Sequence, residues 1–267
     1  TDSLAFRGPD AQQSVSVDAG VGFGHTALRT REACGVPGMP ATLDGRVWIT
    51  ADARVDARAE LVARLVGRGR RGVNTADDNR LILHAYLEWG ERCVDYLVGD
   101  FAFAIWDGVR RQLFCARDHF GVKPFYYAET TEGFVFSNTL DCVRSHPAVD
   151  GALNELAVAD FLLFGQNLEN TTTTFAQIKR LPPAHTLVRG SNLLVRRYWT
   201  IPTDGHIRYS RSEDYVEGFG EVFETAVADR VDASSAGLWM SGGLDSTSMA
   251  ATPSRVASAT PTTSAPS

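Results

Sequence analysis

The segment Ser241–Ser246 has the residue types of a phosphate-binding loop, with the sequence Ser-Gly-Gly-Leu-Asp-Ser. Adjacent glycines let backbone N–H groups approach an anion without a Cβ in the way, and the hydroxyls of Ser241 and Ser246 add further donors. A helix that begins near Ser246 would direct its positive N-terminal end at the same anion. Asp245 would repel a bare phosphate, so we expect it to bind a Mg²⁺ ion carried by that phosphate. The alternative is an ordinary Gly-Gly turn with hydroxyls nearby.

Two elements must position this loop. The apolar run Ala236–Met240 predicts a buried strand directly before it. The segment Arg211–Val231 has apolar residues at helical spacing, with Ser212 as the expected N-cap and acidic residues in the first turn, which predicts an amphipathic helix. We therefore expect residues 211–250 to begin an α/β nucleotide-binding domain, a fold that needs several more βα units than this stretch contains.

Residues 1–145 have the pattern of an α+β domain. Helical spacing predicts helices over Arg58–Val66 and Ala76–Trp89. Alternating or continuous apolar runs predict strands on both sides of this helical pair, over Ser14–Val17, Val21–His25, Arg46–Thr50, Gly99–Asp107, Gln112–Arg117, Phe125–Tyr127 and Gly133–Ser137. Antiparallel strands around a helical pair predict two sheets sandwiched between helices.

The remaining segments carry weaker patterns. Residues 146–210 are expected to form a connector, with a helix over Leu153–Phe164, a proline-stiffened turn over Ile178–His185 and a strand over Leu193–Trp199. Residues 251–267 are rich in Ala, Thr, Ser and Pro, so no helix or packed strand is expected there. We interpret this tail as the disordered or aberrant end of a chain that is cut short. The alternative is a disordered tail that belongs to the natural protein.

Composition excludes several classes of function. The 267 residues carry a net charge of −6, which disfavours a nucleic-acid partner. No apolar run approaches the roughly 20 residues of a membrane helix, and no signal peptide opens the sequence, so we expect a cytoplasmic protein without a membrane partner. The four cysteines, Cys34, Cys93, Cys115 and Cys142, form no Cys-x-x-Cys pair and predict small buried side chains in a reducing compartment.

Several motifs, in order along the chain, resemble those of the asparagine synthetase family. They are Arg7-Gly8-Pro9-Asp10, His84–Gly90, Gly99–Asp107, Ala116–Tyr127 and the loop that ends at Ser246, which resembles the pyrophosphatase loop of enzymes that split ATP into AMP and pyrophosphate. The resemblance implies an N-terminal αββα glutamine amidotransferase of the Ntn type followed by an ATP-dependent synthetase domain. It also implies that ATP·Mg²⁺ is bound by the backbone of Met240 and by Ser241, Gly242, Gly243, Leu244, Asp245 and Ser246, with Asp245 on the metal.

The chain departs from this family where glutamine would be hydrolysed. The family's nucleophile is an N-terminal cysteine, and Thr1 lies too close to Arg7-Gly8-Pro9-Asp10 to replace it, so the first strand is expected to be missing or lost. The family's carboxylate-binding arginine falls on Ala27, and its Asn-Gly-Glu stretch falls on Ala51-Asp52-Ala53. Asp78 matches the aspartate that contacts the substrate amino group. We therefore expect no working glutaminase.

The resemblance implies an AMP-forming ligase that adenylates a small-molecule or peptide carboxylate and then forms an amide bond. Without glutaminase the amine must come from elsewhere, as in β-lactam synthetases and lasso-peptide cyclases, and the connector is closest to the cyclase type. One alternative is a glutamine-hydrolysing asparagine synthetase whose N-terminal cysteine lies outside the sequence. Another is a catalytically silent fragment that binds a partner. The sequence leaves open whether the protein forms a homodimer.

Overall fold

The computed structural model describes residues 2–28, 38–203, 205, 207–231 and 238–259, with side chains described as far as residue 252. It divides into two compact units, Thr1–Ile201 and Pro202–Ser267. The strands are β1 (Ala11–Asp18), β2 (Val21–Ala27), β3 (Ala41–Thr42), β4 (Val47–Asp56), β5 (Val98–Asp107), β6 (Gln112–Arg117), β7 (Tyr126–Thr130), β8 (Gly133–Ser137), β9 (Lys179–Arg180), β10 (His185–Arg189) and β11 (Leu193–Arg197). The α-helices are α1 (Arg58–Gly67), α2 (Asp78–Trp89), α3 (Leu140–Arg144), α4 (Glu155–Phe164), α5 (Ser212–Arg230) and α6 (Leu244–Ala259).

A six-stranded antiparallel sheet, in the order β11-β10-β6-β5-β4-β3, forms the centre of the first unit. Helices α1 and α2 cover one of its faces, and their apolar sides share a core with the sheet that includes Leu65, Leu81 and Phe103. The start of α2 is fixed by its sequence, because the Asp77 carboxylate caps the helix by accepting from the Arg80 N–H at 2.7 Å. The helix ends at Trp89, and the following Gly90 has a φ of 62°, which suits glycine.

A second β layer covers the other face of this sheet. It consists of the hairpin β1–β2 and a three-stranded sheet in the order β8-β7-β9. Phe23 of the hairpin, Phe125 before β7 and Trp106 of β5 belong to one core between the layers. Val143 of α3 packs on the outer face of the three-stranded sheet in a smaller core. The layers are therefore helix, β, β and helix, which confirms the predicted αββα sandwich, with its second β layer split into two small sheets.

The first unit extends well beyond the boundary at 145 that the sequence predicts. Strand β10 pairs with β6 in the large sheet, and β9 pairs with β7 in the small one. The proposed connector thus supplies strands to both β layers, and the unit ends at Ile201. A two-residue run such as Lys179–Arg180 is too short to show a strand pattern of its own. It becomes a strand by pairing with residues of β7 that lie more than fifty positions away in the sequence.

The second unit is helical in its described part. Helix α5 begins at Ser212, with Arg211 rather than Ser212 in the N-cap position. None of its residues is buried, although the predicted apolar stripe is present. The predicted strand is wrong for Leu238–Met240, which are irregular, because no described strand of this unit is available to pair with them; Ala236 and Gly237 lie outside the described residues.

Helix α6 extends to Ala259, which corrects the expectation that no helix forms after residue 250. Ala250, Ala251 and Ala257 are strong helix formers and favour this extension, against the cost of Pro253 inside the helix. The tail from residue 260 lies outside the described residues, as does Cys34. Cys93 and Cys115 are buried as predicted, and Cys142 is partly buried. Within the described ranges, no helix has the length and apolar character of a membrane span.

Candidate functional site

The predicted phosphate loop forms a turn that leads directly into α6. Gly242 has a φ of 80°, a backbone conformation that other residues adopt only with strain. A Cβ added to Gly242 would meet no atom of the described residues within 4 Å, so they leave open space beside this part of the turn. The backbone N–H groups of the turn therefore lie at the N-terminus of a 16-residue helix, where an anion is stabilised.

Ser241 and Ser246 stabilise the turn by hydrogen bonds within it. Their Oγ atoms lie 3.3 Å apart, and the Ser246 hydroxyl donates to the Gly243 carbonyl at 3.1 Å. The Gly243 N–H is directed at the Ser241 Oγ at 3.4 Å. Ser246 is only 6% exposed. The two serines thus hold the shape of the loop, and the donors left for a phosphate come mainly from the backbone.

Asp245 lies in the first turn of α6 with its side chain exposed. No group of three or more His, Cys, Asp or Glu side chains that could hold a metal occurs within the described residues. Mg²⁺ usually takes one or two carboxylates and completes its octahedron with phosphate oxygens and water. Asp245 fits that role only as one ligand of a Mg²⁺·phosphate complex, with most of the remaining ligands supplied by the nucleotide.

A second candidate site lies in the first unit, between the two β layers. It is a cavity of about 610 Å³ lined by β2, β4, β5, the start of α2 and the segments on either side of the hairpin β7–β8. Apolar side chains of the core between the layers contribute Ala102, Ala104, Phe125 and Phe136. This is the place where the sequence resemblance predicts a relic glutamine site, and Ala27, Asp52 and Asp78 all line it.

Asp52 bonds across the cavity from one β layer to the other. The Lys123 Nζ lies 2.6 Å from Asp52 Oδ1, and the Asn138 side-chain amide donates to Asp52 Oδ2 at 3.3 Å. The three side chains belong to β4, to the loop before β7 and to the segment after β8. Ala51 also lines the cavity, and it belongs to the core on the helix side of the sheet. The negative charge that the sequence places in the cavity is therefore balanced by Lys123, a partner that the sequence analysis missed.

A buried pair of residues holds Lys123 in this position. The Asp118 carboxylate, 1% exposed, accepts from the N–H groups of Phe120, Val122 and Lys123 at 2.9 to 3.1 Å. The neighbouring Arg117 guanidinium donates to three carbonyl oxygens, those of Gly121, Lys123 and Leu181. The motif Ala116–Tyr127 contains all these residues except Leu181, but only the folded loop shows that the motif presents Lys123 to Asp52.

Asp78 lies at the other end of the cavity, at the first position of α2. Its Oδ1 accepts from the Arg58 guanidinium at 2.8 Å, and its Oδ2 accepts from the Val55 N–H at 3.1 Å. The Asp78 side chain is 14% exposed. These two bonds orient the Asp78 carboxylate at the start of α2.

His25 and Ala27 complete the comparison with the predicted site. Burial lowers the pKa of His25, and the nearby Asp52 opposes that shift. A neutral imidazole therefore faces the cavity at pH 7, 3.5 Å from the Thr50 hydroxyl. Ala27 lines the wall with a methyl group, which cannot bind a carboxylate. Lys123, Asn138 and His25 were not predicted as site residues, because nothing in their spacing indicates that they meet.

Comparison with known proteins agrees with the motifs. The glutamine amidotransferase domain family matches residues 1–199. Glutamine-hydrolysing asparagine synthetase 3 of Bacillus subtilis (strain 168) is 34% identical over 263 residues, covering 94% of this chain and 41% of the relative. Asparagine synthetase 2 of the same organism is 30% identical, covering 93% of this chain and 34% of the relative. The chain thus spans less than half the length of these relatives.

Among solved structures, glutamine phosphoribosylpyrophosphate amidotransferase from B. subtilis superimposes with a TM-score of 0.42 and 14% identity, over 66% of this chain and 34% of that chain. This similarity is too low to support an inference. The family match covers most of the chain and contains every residue of the cavity between the β layers. On that ground, the chain belongs to the glutamine amidotransferase domain family, and its curated relatives include glutamine-hydrolysing asparagine synthetases.

Proposed function

We propose that the chain is the amidotransferase-like part and the first ATP-binding segment of an asparagine synthetase-type amide ligase that does not hydrolyse glutamine. The observation that carries this proposal is the chemistry of the cavity: Ala27 and Asp52 both line it, and Asp52 is bound to Lys123. The family resemblance expects a carboxylate-binding arginine at the first position and an oxyanion-binding group at the second. A glutaminase needs donors aimed at the developing oxyanion, and Asp52 is an acceptor.

The proposed reaction has two steps. A carboxylate oxygen of the substrate bonds to the α-phosphorus of ATP and pyrophosphate leaves, which gives an acyl-adenylate. An amine nitrogen then bonds to the acyl carbon, AMP leaves with the electrons of the broken C–O bond, and the nitrogen loses its proton to solvent. In the first step the backbone of residues 240–246 would hold phosphate oxygens and Asp245 would hold Mg²⁺, which neutralises charge on the leaving pyrophosphate.

The open space at Gly242 and the position of the turn at the start of α6 support a nucleotide at this loop. We propose a small-molecule or peptide carboxylate as the acyl substrate, in a cytoplasmic enzyme that forms lactams or cyclic peptides. The amine donor then belongs to the substrate itself or to a second small molecule.

A second candidate is glutamine-hydrolysing asparagine synthesis, which the names of the relatives support. Two assays on the complete gene product separate the candidates. We expect ATP–pyrophosphate exchange that depends on the acyl substrate, together with no ammonia release from L-glutamine. Ammonia release at the rate of a working glutaminase would establish the second candidate instead. The absence of exchange with every carboxylate tested would leave a silent binding fragment.

A further inference from the structure

Helix α4 is apolar on every side, yet almost none of it is buried. All ten of its residues belong to the described part of the chain, and among them only Ala157 is buried. The exposed large side chains are Leu156, Phe161, Leu162, Leu163 and Phe164, with 77% of Leu162 and 76% of Leu163 exposed. A helix of this composition is normally covered by other protein, and a large apolar patch on a surface marks an interaction site.

The helix is firmly anchored at its start, so its exposure does not come from a loose end. The Asn154 side chain caps α4 by accepting from the Ala157 N–H at 3.2 Å. Directly before the helix, the Asn154 N–H donates to the Thr174 carbonyl at 2.8 Å, and Leu153 pairs with Phe175 in an antiparallel bridge. Phe175 packs on a core of the first unit. An apolar helix is thus presented on a fixed support.

The charges of α4 distinguish between the surfaces that could cover it. Its two charged side chains, Glu155 and Asp160, are both acidic. A second copy that presented the same helix would bring carboxylates together in an apolar contact, where like charges repel. A membrane surface attracts basic segments rather than acidic ones. The composition of α4 therefore favours a protein surface that is apolar and has basic groups at its rim.

The relatives contain enough further chain to supply such a surface. The match with asparagine synthetase 3 covers 94% of this chain, a span that contains α4, but only 41% of the relative. The corresponding share of asparagine synthetase 2 is 34%. More than half of each relative thus lies outside the matched part. Domains of one chain typically bury roughly 600–1,500 Å² where they meet, an area to which an exposed apolar helix is well suited.

We propose that α4 is the helix on which the remaining part of an asparagine synthetase-type ligase docks. The docking part presents an apolar groove with Lys or Arg side chains at its rim, which receives Leu156, Leu162 and Leu163 and faces Glu155 and Asp160. This inference rests on the proposed function, because it requires a longer protein that carries a synthetase half. It adds the surface through which the amidotransferase-like unit is held to that half.

The test is the rate at which a water-soluble maleimide labels Leu163→Cys in the 267-residue chain and in the complete gene product. Val109→Cys is the matched control, because Val109 is also exposed but lies in the turn between β5 and β6. In the complete gene product we expect Leu163→Cys to react at least about tenfold more slowly than in the 267-residue chain, and Val109→Cys to change by less than about twofold. Mass spectrometry of the peptide that contains residue 163 separates this label from labels on the natural cysteines.

Three results would overturn the proposal. The first is the same ratio of labelling rates between the two proteins for Leu163→Cys as for Val109→Cys. The second is slow labelling of Leu163→Cys already in the 267-residue chain, which sedimentation equilibrium would assign to a second copy if that chain is a dimer, and to another part of the same chain if it is a monomer. The third is labelling of that chain that becomes slow when vesicles of phosphatidylglycerol are added, which would assign the face to a membrane.

A charge at the same position tests the contact without a label. In the 267-residue chain Leu163→Glu places a carboxylate in solvent, so the melting temperature should stay unchanged. In the complete gene product the carboxylate would be buried in the contact, and we expect the melting temperature to fall by about 4 °C or more. Val109→Glu should leave both proteins unchanged. A melting temperature of the complete gene product that Leu163→Glu does not lower would overturn the docking contact.

ATP–pyrophosphate exchange keeps this inference apart from the proposed function. Protection of Leu163→Cys without exchange would keep the docking face and remove the ligase activity. Exchange without protection of Leu163→Cys would remove only the docking face.

Discussion

The two candidate sites differ in how the chain builds them. The phosphate loop is made of consecutive residues, and its shape follows from Gly242 and from the bonds of Ser241 and Ser246 to their close neighbours. The cavity between the β layers joins side chains as far apart in sequence as His25 and Asn138. A local site keeps its shape whenever its own sequence is intact, whereas a cavity depends on every layer around it. The chemistry of the second is therefore much harder to infer from spacing.

The largest effect is expected from breaking the loop that positions Lys123. Asp118→Ala removes a buried carboxylate that accepts from three N–H groups of its loop, so we expect the first unit to lose about 3 kcal/mol or more of unfolding free energy in urea, followed by tryptophan fluorescence. Asp141→Ala is the control, because that side chain is 84% exposed and its ion pair with Arg144 contributes less than about 1 kcal/mol. Equal losses of unfolding free energy in both variants would contradict the role of the Asp118 loop in holding Lys123 at the cavity.

A substitution in the phosphate loop should lower activity and leave the stability of the first unit unchanged. Gly242→Val forces a β-branched residue to a φ of 80°, at a cost of about 2 kcal/mol, and closes the space beside the turn. We expect ATP–pyrophosphate exchange by the complete gene product to fall at least about tenfold, while the melting temperature of the first unit is unchanged. Gly220→Ala in α5, where a Cβ also meets no atom within 4 Å, should keep full exchange.

The bridge across the cavity should contribute less than the buried loop. Asp52 and Lys123 each keep about 30% of their side chain exposed, so solvent screens the pair. A double-mutant cycle with Asp52→Asn and Lys123→Met should give a coupling free energy of about 1 kcal/mol in urea unfolding. A coupling indistinguishable from zero would mean that the two layers hold together without this contact.

The smallest expected effect is a dependence of the first unit's stability on pH that arises from the buried imidazole of His84. Burial lowers the pKa of His84, and the charge of Arg70 lowers it further. The unfolded chain then binds a proton more readily than the folded one, so stability is complete above about pH 6.5 and is lost as the pH falls toward the folded pKa. His84→Gln should reduce the loss of melting temperature between pH 7.5 and 5.5. An identical loss in the variant and the parent would exclude this origin.

The sequence determined most of the elements and the local turn at Ser241–Ser246. Apolar spacing predicted both helices of the sandwich and most of its strands, because each pattern repeats within a few residues and is set by which side of the element is buried. The glycines of the phosphate loop predicted a turn, and the structure has one with the left-handed φ that glycine permits.

Only the tertiary structure decided what surrounds Asp52. Residue spacing places an aspartate at that point of β4, but whether it repels an anion or binds a cation depends on Lys123 and Asn138, which reach it from the other β layer. The same holds for β9 and β10, whose short runs become strands only through partners in β7 and β6. Charge balance and strand pairing are properties of neighbours in space, and a linear pattern records only neighbours in sequence.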